Sequence, residues 1–187
     1  MLFFDYSSFY QKLAARCPKP GRIREVTQDH YRRSRIARGG DFVSFYEGVT
    51  RDLSLDMPLE EFKGAYSDIF SANDAMIDLV RSAPRPRFML SNTDATHIGW
   101  IRQRFPQVFP LFDGWVLSFE VGAEKPEEAV YRQVEALSGQ PAERHVFVDD
   151  VPEYAAAARG CGWHAIEFTT VEDCARRLAA LVRPGTS

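Results

Sequence analysis

The sequence has few cysteines, no long apolar run and no large excess of charge of one sign. Its three cysteines, Cys17, Cys161 and Cys174, are an odd number without metal-type spacing, and they follow no signal peptide. No apolar stretch approaches the roughly 20 residues that a membrane helix needs. The net charge of −3 and the scattered basic residues do not indicate a nucleic-acid-binding surface. We therefore expect a cytoplasmic protein with structural thiols, and neither nucleic acid nor a membrane as a partner.

The first half of the chain has the pattern of a small helical unit. From Tyr6 to about Leu79, apolar residues recur at helical spacing, and proline or glycine separates the segments. Asp41 stands where the N-cap of one of these helices is expected. The sequence predicts a helical domain over residues 6–79, with no strand after Asp5.

The second half, residues 80–187, alternates between strand and helix patterns. Such alternation predicts βαβ units and a parallel sheet covered by helices, in a three-layer Rossmann-like α/β fold. The expected strands are 87–90, 115–118, 145–149 and 165–168, and the expected helices are 98–105, 126–137, 152–159 and 171–182.

Polar residues follow the expected strands or begin the expected helices. They are Ser91 with Asn92, then Lys125, and finally Asp149 with Asp150. Since the carboxyl ends of parallel strands meet at one edge of a sheet, these residues should converge there. Two adjacent carboxylates suit a hard cation such as Mg²⁺, and the hydroxyl, amide and ammonium groups suit a phosphoryl group. Each of the three signals alone has an ordinary structural explanation, as a helix cap, a surface lysine or a solvated turn.

Three stretches resemble motifs of the haloacid dehalogenase-like (HAD) hydrolase superfamily. They are Phe-Met-Leu-Ser-Asn-Thr-Asp at 88–94, Gly-Ala-Glu-Lys-Pro-Glu at 122–127 and Val-Phe-Val-Asp-Asp at 146–150, which continues to Gly162. The resemblance is greatest to the branch with a small helical cap, which includes sugar-phosphate phosphatases such as α-glucose-1-phosphatase. It implies a Mg²⁺-dependent phosphatase that acts on a small phosphorylated molecule.

The same resemblance assigns roles to individual residues. Ser91 and Asn92 would bind the phosphoryl group, and Lys125 would stabilise the charge of the nucleophile and the phosphate. Asp150, with Asp149, would hold Mg²⁺. Tyr154 stands where the family often has Asn or Asp, so the metal ion would have fewer ligands from the protein.

The family's first motif, a strand ending in the nucleophilic aspartate, has no clear counterpart. In one register, Leu2–Phe4 is that strand and Asp5 is the nucleophile. In the favoured register, Asp5 begins the first cap helix, residues 1–5 are a remnant of the first core strand, and the nucleophile would lie upstream. Without that strand, two interior strand edges would lack partners. Mg²⁺ binding should then be weak, because Asp149 and Asp150 alone leave the ion mostly hydrated.

Other functions remain open. A non-catalytic relative would keep the phosphate pocket without a nucleophile. A phospho-receiver domain fits less well because its acidic pair comes before its lysine. A true haloacid dehalogenase needs no metal and lacks the Asp-Asp pair. Arg32, Arg35, Arg38 and His97 could face the pocket, although lone charges on helices are usually solvated.

Overall fold

The computed structural model describes residues 2–182. The first half of the chain contains five α-helices and two short strands among these residues. They are β1 (Leu2–Phe4), α1 (Ser7–Ala14), α2 (Ile23–Ser34), α3 (Phe42–Leu53), α4 (Leu59–Ser67), β2 (Phe70–Ala72) and α5 (Asp74–Ser82).

The strands β1 and β2 were not predicted in this arrangement. Leu2–Phe4 pairs antiparallel with Phe70–Ala72 and with no other strand of the described residues. The prediction that residues 1–5 are a remnant of the first core strand stays a prediction. The prediction of no strand after Asp5 is wrong, because β2 is a three-residue strand that its distant partner stabilises.

The helices of the first half pack around an aromatic core. Phe9, Phe45, Phe62 and Tyr66 are almost completely buried, and their rings meet mainly edge to face. Asp41 caps α3 as predicted, since its carboxylate accepts the backbone N–H groups of residues 43 and 44. The limits 6–79 and 80–187 stay predictions. The boundary between them falls within α5, which packs against a helix of the second half.

The crossing of α2 and α3 leads to a stability prediction. A Cβ atom added at Gly48 would lie 2.3 Å from Nδ1 of His30, whose Nε2 atom is fixed by Asp52 at 2.8 Å. We expect Gly48→Ala to lower the free energy of unfolding by about 1–3 kcal/mol, measured by urea denaturation. Gly64→Ala is the matched control because no atom lies within 4 Å of its Cβ position. That variant should gain about 0.5–1 kcal/mol from helix propensity. Equal gains from the two variants would contradict the packing described here.

The second half has the predicted alternation of strands and helices. The parallel pairing confirms the predicted α/β class. The elements are β3 (Phe88–Ser91), α6 (Ala95–Arg104), β4 (Gly114–Leu117), α7 (Ser118–Val121), α8 (Glu128–Ser138), β5 (Val146–Asp149), α9 (Pro152–Gly160), β6 (His164–Glu167) and α10 (Val171–Leu181).

The four parallel strands form two separate pairs. Strand β3 pairs with β4, and β5 pairs with β6. Within residues 2–182, no strand pairing joins β3 to β5. This arrangement matches the expectation of unpaired interior edges.

Helices cover both faces of these strands. On one face, Phe88 and Leu90 pack into a cluster with Tyr131 of α8 and Trp163. On the other face, Met89 packs with Ile77 of α5. Helix α10 contacts α5 as well as β5 and β6, so it lies on this second face. The three layers that the sequence predicts are therefore present.

Over residues 2–182, no helix combines the length and the apolar composition that crossing a bilayer requires.

Candidate functional site

Lys125 lies at the centre of a polar cluster at the carboxyl ends of β3 and β5. Its Nζ atom is 2.6 Å from Oδ2 of Asp149, and the two side chains are only 10% and 8% exposed. The ammonium group also lies over the ring of Tyr154, at 5.0 Å from the ring centre. These two contacts make the lysine a fixed, largely desolvated positive charge. Lys125 precedes Pro126, and the peptide bond between them is cis.

Asn92 holds the backbone of Lys125 in place. Its Oδ1 atom accepts the N–H of Lys125 at 2.8 Å, and its Nδ2 atom donates to the carbonyl of the same residue at 3.0 Å. Nδ2 also lies 3.4 Å from the hydroxyl of Tyr154. Ser91 is half-buried, and its hydroxyl makes no hydrogen bond within the described part of the chain. Asn92 thus positions the lysine, while the Ser91 hydroxyl stays available to a ligand.

The two aspartates have different surroundings. Asp149 ends β5, pairs with Lys125 and accepts the N–H of Val151 at 2.9 Å. Asp150 is exposed and forms no ion pair with another described residue. Over residues 2–182, no three His, Cys, Asp or Glu side chains come together as metal ligands would. Because Mg²⁺ prefers six oxygen ligands, these two carboxylates alone do not fit a magnesium site.

Tyr154 is a site residue whose role the sequence did not reveal. It was noted only as a departure from the family pattern, yet its ring covers the ammonium of Lys125 and its hydroxyl reaches Asn92. Burial raises the pKa of its hydroxyl above the ordinary value, and the Asn92 hydrogen bond opposes that shift. Tyr154, a residue of α9, therefore covers one side of the cluster.

Asp5 does not join this cluster. Its backbone N–H donates to the carbonyl of Ile69, and its Oδ1 atom accepts both the N–H and the hydroxyl of Ser7. These hydrogen bonds lower the pKa of the Asp5 carboxyl. No hydrogen bond or ion pair links Asp5 to Lys125 in the part of the chain described. The carboxylate of Asp5 therefore stabilises the start of α1.

Arg38 connects the first half of the chain to the loop that carries Lys125. Its Nε atom lies 2.8 Å from Oε2 of Glu124, and its guanidinium also pairs with Glu127. These two glutamates, Glu127 foremost, raise the pKa of Arg38. The next residue, Gly39, has a φ of +82°, and a Cβ there would lie 2.8 Å from the carbonyl oxygen of Phe119. The glycine therefore allows the backbone approach that brings Arg38 to this loop.

His97 is buried, so the prediction of a solvated charge does not describe it. Its Nδ1 atom is 3.0 Å from Oδ2 of Asp94, and its Nε2 atom is 3.1 Å from the carbonyl oxygen of Tyr66. The rings of His97 and Tyr66 stack with centres 4.1 Å apart. Arg32 and Arg35 are exposed, as the sequence predicts. His97 thus belongs to a structural contact between α4 and α6.

Two surface cavities lie away from the cluster. One, of about 530 Å³, is lined by residues of α3 and the loop that follows it. The other, of about 380 Å³, is lined by residues of α9, β6 and α10 together with the turn before β6. Neither is lined by Ser91, Asn92, Lys125, Asp149 or Asp150. The convergence of polar side chains, and not a deep pocket, makes the Lys125 cluster the candidate site.

Several HAD-family enzymes of known structure have a similar fold. The HAD family enzyme BT-2542 from Bacteroides thetaiotaomicron, in its magnesium complex, is 18% identical with a TM-score of 0.78, over 90% of this chain and 88% of that one. Its complex with magnesium and inorganic phosphate is similar, at 17% identity and a TM-score of 0.76, over 90% and 89%. A predicted HAD-like family hydrolase from Porphyromonas gingivalis is 21% identical with a TM-score of 0.68, over 86% and 91%.

These similarities confirm the HAD-like fold that the three sequence motifs predict. L-2-haloacid dehalogenase from Xanthobacter autotrophicus also has this fold, at 20% identity and a TM-score of 0.61, over 95% of this chain and 78% of that one. No protein-family model matches the sequence.

Proposed function

We propose that the cluster around Lys125 binds the phosphoryl group of a small phosphorylated molecule on a HAD-like hydrolase scaffold. The observation that supports this is the placement of the Lys125 ammonium group. It is fixed at the carboxyl ends of β3 and β5, with Asp149 as its one ionic partner among the described residues. An ammonium group has three donors, so donors remain for phosphate oxygens.

Hydrolysis makes a further chemical demand. Displacement at phosphorus through a covalent intermediate needs a carboxylate in line with the bond that breaks. Asp149 is engaged with Lys125, and Asp5 is engaged with Ser7. We therefore propose phosphate binding without efficient turnover for residues 1–187. Phosphatase assays should give background rates, and Asp5→Asn should leave those rates unchanged.

The second candidate is a Mg²⁺-dependent phosphatase of a small phosphomonoester. The similar enzyme BT-2542, whose complex contains magnesium and inorganic phosphate, favours it. This candidate requires oxygen ligands beyond Asp149 and Asp150, because Mg²⁺, which would neutralise phosphate charge, prefers six of them. Robust turnover that Asp5→Asn abolishes would support this candidate and the register in which Asp5 is the nucleophile.

Phosphate titration of Lys125→Met tests the proposed binding site. Because a hydrogen bond to a charged group contributes about 1.5–3 kcal/mol, we expect the affinity for inorganic phosphate to fall by roughly 10- to 100-fold. Phosphorus NMR line broadening can measure this fall, and circular dichroism checks the fold. Lys12→Met is the matched control, since Lys12 forms an exposed ion pair with Asp68. Equal phosphate affinity in the two variants would show that Lys125 is not the phosphate ligand.

Asp149→Asn separates the two candidates in the same titration. If Lys125 alone attracts phosphate, removing the competing carboxylate should raise phosphate affinity at least about fivefold, since like charges near 4 Å repel by ~1 kcal/mol even in bulk water. If Mg²⁺ mediates binding, the substitution should weaken phosphate binding, and only when magnesium is present.

A further inference from the structure

Strand β6 has an outer edge whose backbone groups point toward the surface. Within residues 2–182 the strand pairs with β5 on one side and with no strand on the other. The N–H of His164 donates to the carbonyl of His145, in the direction of β5. Since the backbone groups of successive residues alternate in direction, those of Ala165 and Glu167 point outward. The N–H and C=O groups of both residues are therefore left unused by the sheet.

Two arginines bind the carbonyl groups of this edge. Nη1 of Arg159, in α9, donates to the carbonyl of Ala165 at 3.2 Å. Nη1 of Arg177, in α10, donates to the carbonyl of Glu167, also at 3.2 Å. Along the strand, the N–H of Glu167 lies between these two carbonyls, and it makes no hydrogen bond with any described residue. The two guanidinium groups therefore flank an unpaired backbone donor.

Most donors of the two arginines are also unused. Their Nε and Nη2 atoms make no hydrogen bond in the part of the chain that the structure describes. Arg159 forms no ion pair there either. Arg177 approaches one carboxylate, that of Asp173 at 3.6 Å, which also pairs with Arg176. The edge of β6 therefore offers donors and positive charge, with little negative charge to balance them.

Both arginines line the cavity of about 380 Å³ beside α9, β6 and α10. His164 is the third polar residue of this lining, and no acidic residue among those described belongs to it. The remaining lining residues are apolar: Trp163, Ala165, Ile166, Ala180 and Leu181. Sites for small organic molecules measure about 300–1,000 Å³ and combine apolar walls with a few placed polar groups. The cavity therefore has room for an organic molecule and the charge to select an anion.

We propose that this cavity binds a small organic carboxylate with a compact apolar body. A guanidinium group donates two parallel N–H bonds to a carboxylate, and such charge-assisted bonds are roughly twice as strong as neutral ones. One carboxylate oxygen accepts the N–H of Glu167 between the two arginines. The apolar body lies against Ala180 and Leu181, of which the latter is 41% exposed. No residue of the Lys125 cluster lines this cavity, so the inference does not depend on the proposed function.

Calorimetric titration with phenylacetate tests this inference. We expect saturable binding with a dissociation constant of about 1 mM or tighter. Phenylacetamide has nearly the same shape without the charge, and it should bind at least about tenfold more weakly. Arg159→Met and Arg177→Met should each lower the affinity for phenylacetate at least about fivefold, because each removes a charged donor. Circular dichroism checks that the variants fold, and the neutral compound tests the charge on wild type alone.

Arg33→Met is the matched control, since Arg33 is an exposed helical arginine paired with Asp29, far from β6 in the sequence. Its affinity for phenylacetate should equal that of wild type. In amide NMR spectra, phenylacetate should shift the N–H signal of Glu167 more than that of Ile166, which faces β5. Equal affinity for the two compounds, an equal loss in Arg33→Met, or an unshifted Glu167 signal would overturn the inference. So would the absence of saturable binding.

Discussion

Replacing Asp94 with alanine should lower the free energy of unfolding by about 3–5 kcal/mol, because each buried donor that loses its acceptor costs about 1–3 kcal/mol. Asp94 is 2% exposed and caps α6 through the N–H groups of residues 96 and 97. Its Oδ2 atom also accepts the hydroxyl of Tyr66 at 2.8 Å and faces Nδ1 of His97 at 3.0 Å. The substitution would leave these buried donors without an acceptor. Urea denaturation at neutral pH measures the effect.

Asp41→Ala is the matched control for this substitution. Asp41 is also an aspartate N-cap, but it is exposed and makes only local contacts with α3. Its loss should cost about 1 kcal/mol. If the two variants lost equal stability, the contact between α4 and α6 would contribute nothing beyond helix capping.

The Asp94 carboxylate also makes the free energy of unfolding depend on pH. Burial alone would raise the pKa of Asp94, but hydrogen bonds and charge from His97, with the Tyr66 hydroxyl, outweigh it and lower the pKa. A group whose pKa is lowered in the folded state stabilises that state above its unfolded pKa, near 4, and loses this contribution as the pH falls further. As the pH falls below about 4, the free energy of unfolding should therefore decrease less steeply in Asp94→Asn than in wild type.

Phe62→Ala should be destabilising by about 3–5 kcal/mol, because it opens a cavity in the core of the first half. Phe62 in α4 is fully buried, and its ring meets those of Phe9, Phe45 and Tyr46 at centre distances of 5.5, 5.7 and 5.3 Å. Thermal and chemical denaturation measure the loss.

Phe4→Ala makes the same chemical change on the surface. Phe4 is 65% exposed, so its truncation should alter stability by no more than about 0.5 kcal/mol. A small effect at Phe62 would mean that the helices of the first half repack around the missing ring.

The second half of the fold follows from local sequence patterns. Each predicted strand lies within about one residue of an observed one, because short β-branched and aromatic runs end at polar residues. Strand carboxyl ends also explain why Asn92, Lys125 and Asp149 meet. These features depend on residues close together in sequence.

What could not be predicted depends on distant contacts. Strand β2 has only three residues, too few for a periodic signal, and its partner β1 lies at the other end of the first half. The sequence does not tell whether Asp149 faces a metal or Lys125. It also does not reveal that Tyr154 covers the lysine, or that Arg38 reaches Glu124 across 86 positions. Such contacts require the tertiary fold.

The outer edge of β6 has a feature that bears on self-assembly. Arg159 and Arg177 donate to the carbonyls of Ala165 and Glu167, the two β6 residues whose backbone groups point away from β5. Arginines placed there hinder another chain from extending the sheet outward. Fibre growth, which needs a fresh edge after every addition, is therefore disfavoured at this edge.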